Sequence, residues 1–82
     1  MIKAVRISPT AYQWLQRHPF VSEEVLISIV LHCPKNERIY VENSHFQIEF
    51  KRRKDGKVVT VTLWVHERET EYYIGKIHSQ RS

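Results

Sequence analysis

From Ser8 onward, the spacing of apolar residues changes once along this chain, at Pro34. Before it, the apolar positions recur with the period of a helix. After it, they alternate with the period of a strand. Ile2 to Ile7 alternates weakly and reads as a short edge strand. Ser8-Pro9 is a helix start, a hydroxyl cap followed by proline at the first helical position. Ala11, Trp14, Leu15 and His18 then share one helix face, and Pro19 ends that helix. Ser22 opens a second one. Glu23 and Glu24 suit its positive end, and Val21 can staple to Leu26. Val25, Leu26, Ile29, Val30 and Cys33 form its apolar stripe. Cys33 is therefore read as a packing residue rather than a reactive thiol.

Beyond Pro34, Ile39, Val41, Phe46, Ile48, Phe50, Val59, Val61, Leu63 and Val65 fall at alternate positions in three runs. Asn43-Ser44 and Asp55-Gly56 separate the runs as two-residue turns. The second turn sets Phe50 against Val61, Ile48 against Leu63 and Phe46 against Val65. The first sets Val41 against Phe46 and Ile39 against Ile48. Both put one set of residues on one face. A last strand covers Tyr72 to His78. A five-residue loop, Glu67 to Glu71, puts Tyr73, Gly75 and Ile77 inward and Tyr72, Ile74, Lys76 and His78 outward. It is preferred to a loop one residue shorter because it does not bury Lys76. The expected fold is α+β: a short N-terminal strand and two helices packed on a four-stranded antiparallel β-meander, with residues 1–82 a single domain.

The same register gives the opposite face. Arg38, Glu49 and Thr62 form one row, Tyr40, Gln47 and Trp64 the next, and Glu42, His45 and His66 a third. Lys51 and Thr60 flank them, and Lys76 and His78 join from the last strand. Arg38 against Glu49 is also an ordinary cross-strand ion pair, and a polar face is ordinary in an antiparallel sheet. Trp64 is the residue that a merely wetted face explains least. Metal-independent RNA cleavage needs a base for the 2′-hydroxyl, an acid for the leaving oxygen and cations for the phosphate. Glu49 is the candidate base and His66 or His78 the acid. Arg38, Lys51 and Lys76 are candidate cations, with Trp64 and Tyr40 to stack on bases. His45, His66 and Glu42 have ligand chemistry, but no zinc-type spacing supports a metal. No cofactor is called for.

Charge adds a preference among partners. The 82 residues carry a net charge of +4, with a pI near 9.5, and ten of the thirteen basic residues follow Pro34. The densest run, Lys51 to Lys57, surrounds a hairpin tip and includes Arg53, a candidate phosphate contact. One cysteine allows no internal disulfide. The apolar stretch Val25 to Leu31 is too short to cross a bilayer, and no signal peptide is read at the N-terminus. The expectation is a cytoplasmic protein with no membrane partner.

Two stretches carry a family resemblance. Arg17-His18-Pro19-Phe20-Val21-Ser22-Glu23-Glu24-Val25 resembles the joint between the two helices in small members of the RelE/ParE-type toxin superfamily, within the barnase–colicin–RelE ribonuclease-like fold. Val59-Val61-Leu63-Val65, an acidic turn and Tyr72-Tyr73-Ile74-Gly75-Lys76-Ile77-His78 are similar to their last hairpin. His78 and Arg81 resemble the C-terminal cluster of ribosome-dependent members. The resemblance implies a strand, two helices and a meander. It also implies RNA or ribosome binding, metal-independent endoribonuclease activity and an antitoxin-like protein partner. Two alternatives stay open: a protein-interaction or self-association module built on Trp64 and Tyr40, and a nucleic-acid binder without chemistry.

Overall fold

The computed structural model describes residues 3–81; Ile2, expected to open the first strand, lies outside the described residues. The chain runs β1 (Ala4–Ile7), α1 (Pro9–Arg17), α2 (Glu23–His32), a 3-10 turn (Lys35–Glu37), β2 (Ile39–Glu42), β3 (His45–Lys54), β4 (Lys57–Glu67) and β5 (Glu71–Arg81). Both helix starts fall where the caps predict. The Ser8 hydroxyl accepts from the Ala11 N–H at 3.1 Å, and the Ser22 hydroxyl accepts from the Val25 N–H at 3.2 Å. His18 terminates α1, its N–H donating to the Leu15 carbonyl ahead of Pro19.

The sheet departs from the expected four-stranded antiparallel meander. It has five strands in the order β1-β5-β4-β3-β2, and β1 lies parallel to β5, with Val5 beside Tyr72 and Ile7 beside Ile74. The meander alone would leave the backbone of β5 open along one edge, and β1 closes it. Val5 and Ile7 are half-buried and pack on the core. Four residues with no turn joining them to their partner strand give no local sign of this pairing.

Ala11 and Leu15 of α1, Val21, and Leu26 and Val30 of α2 meet Phe46, Ile48, Val59, Val61, Leu63, Val65, Ile74 and Ile77 of the sheet in one buried core. The β3–β4 hairpin has the register that Asp55-Gly56 predicts, with Phe50 opposite Val61, Ile48 opposite Leu63 and Phe46 opposite Val65. Asp55 and Gly56 both take positive φ, 53° and 76°, as a two-residue hairpin turn with matching twist requires.

Two bulges break the expected alternation, one in β2 and one in β5. Between Tyr40 and Glu42 the β2–β3 register shifts: Glu42 pairs with His45, but Tyr40 pairs with Phe46 and Ile39 with Gln47. Val41 is the extra residue. It is 62% exposed and Ile39 49%, so neither is the inward residue that strict alternation predicts. Between Trp64 and Val65 the β4–β5 register also shifts. Val65 pairs with Ile74 and Trp64 with Lys76, leaving Gly75 extra. The strand therefore enters in the register of the shorter loop. Beyond Gly75 it regains the facing, but not the pairing, of the longer one, which would set Trp64 against Ile74. Tyr72, Ile74 and Ile77 face the core, whereas Tyr73, Lys76 and His78 face away. The expected inward Tyr73 and outward Tyr72 and Ile74 are thus reversed, while Lys76 stays in solvent.

Candidate nucleic-acid interface

Both helices place their buried residues on one face of the sheet, and among the described residues no helix or strand covers the other face. The pairings make that face a lattice of side chains. From one end, its rows are His45-His66-Tyr73, Gln47-Trp64-Lys76, Glu49-Thr62-His78 and Lys51-Thr60-Gln80, followed by Arg53 opposite Val58. Trp64 is at the centre. The Lys76 ammonium stands 5.0 Å from its ring centroid, and the His78 ring meets it edge-on at 6.5 Å. The flat aromatic is thereby flanked by a cation on its own strand row and an imidazole on the next.

At the His45 end, the His45 and His66 rings lie 4.0 Å apart, and His45 Nδ1 is 3.6 Å from a Glu42 carboxylate oxygen. Burial, then the neighbouring His45 and Arg68, push the His66 pKa below its ordinary value, against a smaller opposing pull from Glu42. His66 is thus held neutral near pH 7 and suits the acid role poorly. Arg68 covers the Tyr73 ring at 4.5 Å and extends the aromatic and cationic character of this end. Among the described residues no three His, Cys, Asp or Glu side chains are grouped to hold one metal ion.

The structure divides the candidate site residues. Glu49, His66, His78, Lys51, Arg53, Trp64 and Lys76 share the open face. Arg38 and Tyr40 do not, because the bulge at Val41 turns them to the core side. The expected Arg38–Glu49 pair is absent. Instead the Arg38 side chain is only 6% exposed, and its guanidinium lies 4.7 Å from the Phe46 ring and 5.3 Å from the Tyr72 ring. It donates to the Tyr40 and Tyr72 hydroxyls at 3.3 and 3.2 Å and stands 3.9 Å from Glu67. The Lys3 ammonium bonds the other Glu67 oxygen at 3.1 Å, and the Tyr40 hydroxyl reaches Glu67 at 3.4 Å. Arg38 and Tyr40 are therefore part of an ion-pair network that ties Lys3, just ahead of β1, to β2, β4 and β5. Arg81 also leaves the face, since it pairs with the inward Val59.

Tyr73, Arg68 and Gln80 are face or rim residues that sequence reasoning missed. Gly75 was the available signal, since a glycine inside a strand marks a bulge. Cys33 packs partly against the core, and burial raises its thiol pKa despite the opposing charge of Arg38. A thiol so placed is a poor nucleophile.

No family model, no curated protein and no solved structure matches this chain. No helix among the described residues is long and apolar enough to cross a membrane.

Proposed function

We propose that the open sheet face binds single-stranded RNA and cleaves it without a metal. Trp64 carries this reading. It stands at the middle of an uncovered sheet, within reach of Lys76, and a base can stack on it while the phosphates run past Lys51, Arg53 and Lys76. Glu49 is the acidic member of these central rows, and among the described residues no hydrogen bond or ion pair engages it.

Glu49 and His78 flank Thr62 in one row, so their Cα atoms lie two strand spacings apart, about 10 Å. A phosphate above Thr62 would have a carboxylate on one side and an imidazole on the other. Glu49 takes the proton of the 2′-hydroxyl, whose oxygen forms the new bond to phosphorus. His78 gives a proton to the 5′-oxygen as its bond to phosphorus breaks. The products are a 2′,3′-cyclic phosphate and a 5′-hydroxyl, and Lys51 and Lys76 offset the charge that develops on the phosphate. This is also the chemistry that the RelE/ParE-type resemblance implies, but the residues assigned here rest on the placement of Trp64, Glu49 and His78.

A fluorescence titration with a short unstructured RNA tests the binding. Affinity is expected to fall steeply with salt, and Trp64→Ala to weaken it by about 1–3 kcal/mol. Absence of binding at low ionic strength, or binding indifferent to Trp64→Ala, would overturn the reading. A dimer that Trp64→Ala dissociates would replace it with a self-association surface. For the chemistry, Glu49→Gln and His78→Gln are expected to abolish cleavage while binding persists. Undiminished cleavage in either variant would remove that residue from its role.

A further inference from the structure

Arg81, which leaves the open face, lines a cavity of about 240 Å³ on the helix side of the sheet. The cavity lies where the joint between α1 and α2 passes over the far ends of β4 and β5. His18 and Phe20 come from the joint, Lys54 from the end of β3, and Ser79, Gln80 and Arg81 from β5. We propose that this cavity binds a phosphate monoester.

The electrostatics carry the inference. Lys54 and Arg81 line the cavity and, among the described residues, no carboxylate does. Arg52 stands in the same cross-strand row as Val59 and Arg81, which makes a third cation at this end of the inner face. Its Nε is buried without a hydrogen-bond partner. Gathered like charges repel one another and favour a bound anion. The Lys54 ammonium is held 5.2 Å from the centre of the Phe20 ring, beside the cavity.

The donors suit phosphate better than a carboxylate. The residues lining the space bring an ammonium, a guanidinium fork and the Ser79 hydroxyl, more N–H and O–H donors than two carboxylate oxygens accommodate. His18 adds a further group. Its Nδ1 donates to the Trp14 carbonyl at 2.7 Å and its ring stacks on Trp14 at 4.1 Å, which leaves Nε2 as the nitrogen available to a ligand. The volume is several times the roughly 30 Å³ share of one water, which leaves room for the phosphate and the first atoms of its ester.

The phosphate can belong to a small metabolite or to the end of a nucleic-acid strand. Gln80 lines the cavity and also closes the Lys51-Thr60 row of the open face, so a strand lying on that face would end beside the cavity. Titration of the full chain with inorganic phosphate and with a nucleoside 5′-monophosphate, followed by amide NMR shifts, tests the site. Saturable shifts are expected at His18, Phe20, Ser79 and Gln80. Lys54→Gln and Arg81→Gln, both exposed positions, are expected to weaken binding about tenfold each with unchanged circular dichroism. Trp64→Ala is expected to leave phosphate binding intact, so this site can stand if the RNA reading fails, and the reverse. Tighter binding of a 5′-phosphorylated RNA than of its 5′-hydroxyl twin assigns the site to strand ends. Equal binding of the two assigns it to small phosphate esters. Shifts that fail to saturate, that chloride reproduces at equal ionic strength, or that survive both substitutions would overturn the proposal.

Discussion

Ser8 and Gly75 are joined across most of the length of the chain. The Ser8 hydroxyl donates to the Gly75 carbonyl at 2.9 Å while accepting from the Ala11 N–H, and the Ser8 N–H donates to the Ile74 carbonyl at 3.0 Å. One side chain thus caps α1 and fastens it to the bulge of β5. The bulge in turn decides which residues of β5 face the core.

Ser8→Ala removes the cap and leaves the Gly75 carbonyl without this donor, at a residue only 5% exposed. The expected loss is about 1–3 kcal/mol. Urea unfolding checks it, and a midpoint equal to wild type would show that the cap and the bulge are not coupled in stability.

The two glycines should respond differently to alanine. Gly56 sits at φ +76°, so Gly56→Ala strains the hairpin turn and should cost about 1 kcal/mol or more. At Gly75 no positive φ is involved, and an added Cβ would meet the His66 ring at 3.6 Å, an ordinary contact. Gly75→Ala should therefore change stability by less than Gly56→Ala. Thermal unfolding of the pair would expose the reverse order at once.

Glu67 links Lys3, Arg38 and Tyr40. Burial raises its pKa, but hydrogen bonding and attraction from Lys3, with Arg38 and Tyr40, outweigh burial and leave it below the ordinary 4.5. A carboxylate depressed in the folded state binds its proton first in the unfolded one. Its contribution is complete above the unfolded pKa and is lost as pH falls through the folded value. Glu67→Gln should cost about 1 kcal/mol at neutral pH, a modest figure because the side chain is 25% exposed. As pH falls below the ordinary 4.5 the gap between variant and wild type should narrow, and unfolding curves at successively more acid pH would reveal a gap that fails to do so.

The depressed His66 pKa gives a second acid-sensitive element. The unfolded chain takes up the proton near 6.5 while the folded site resists it. Stability therefore falls as pH drops below that value, and His66→Gln should flatten the slope just below pH 6.5. An unchanged slope would mean that His66 protonates as readily in the fold as out of it.

The inner hairpin was legible in the sequence to the residue. Asp55-Gly56 has one low-cost geometry, and the alternation around it admits one register. The helix starts at Ser8 and Ser22 were equally local, because a cap needs only its own next three residues. Of the candidate site, Glu49, Lys51, Arg53, Trp64 and His66 follow from that hairpin, and Lys76 and His78 keep their face because Gly75 restores the phase. Arg38, Tyr40 and Tyr72 were assigned to the wrong side. A bulge adds one residue without altering composition or period on either side of it.

The amino-acid order by itself determined where the helices begin and end, the β3–β4 pairing, and a polar sheet face centred on Trp64. Caps, tight turns and period-two alternation act over a few residues, so they can be read in place. Only the tertiary structure decided that β1 runs parallel to β5, that Val41 and Gly75 bulge out, and that Arg38 is enclosed by Phe46, Tyr72 and Glu67 instead of lying beside Glu49. Those outcomes depend on which distant strand satisfies an open edge and on which side chains the core can accept, and residues far apart in the chain settle both.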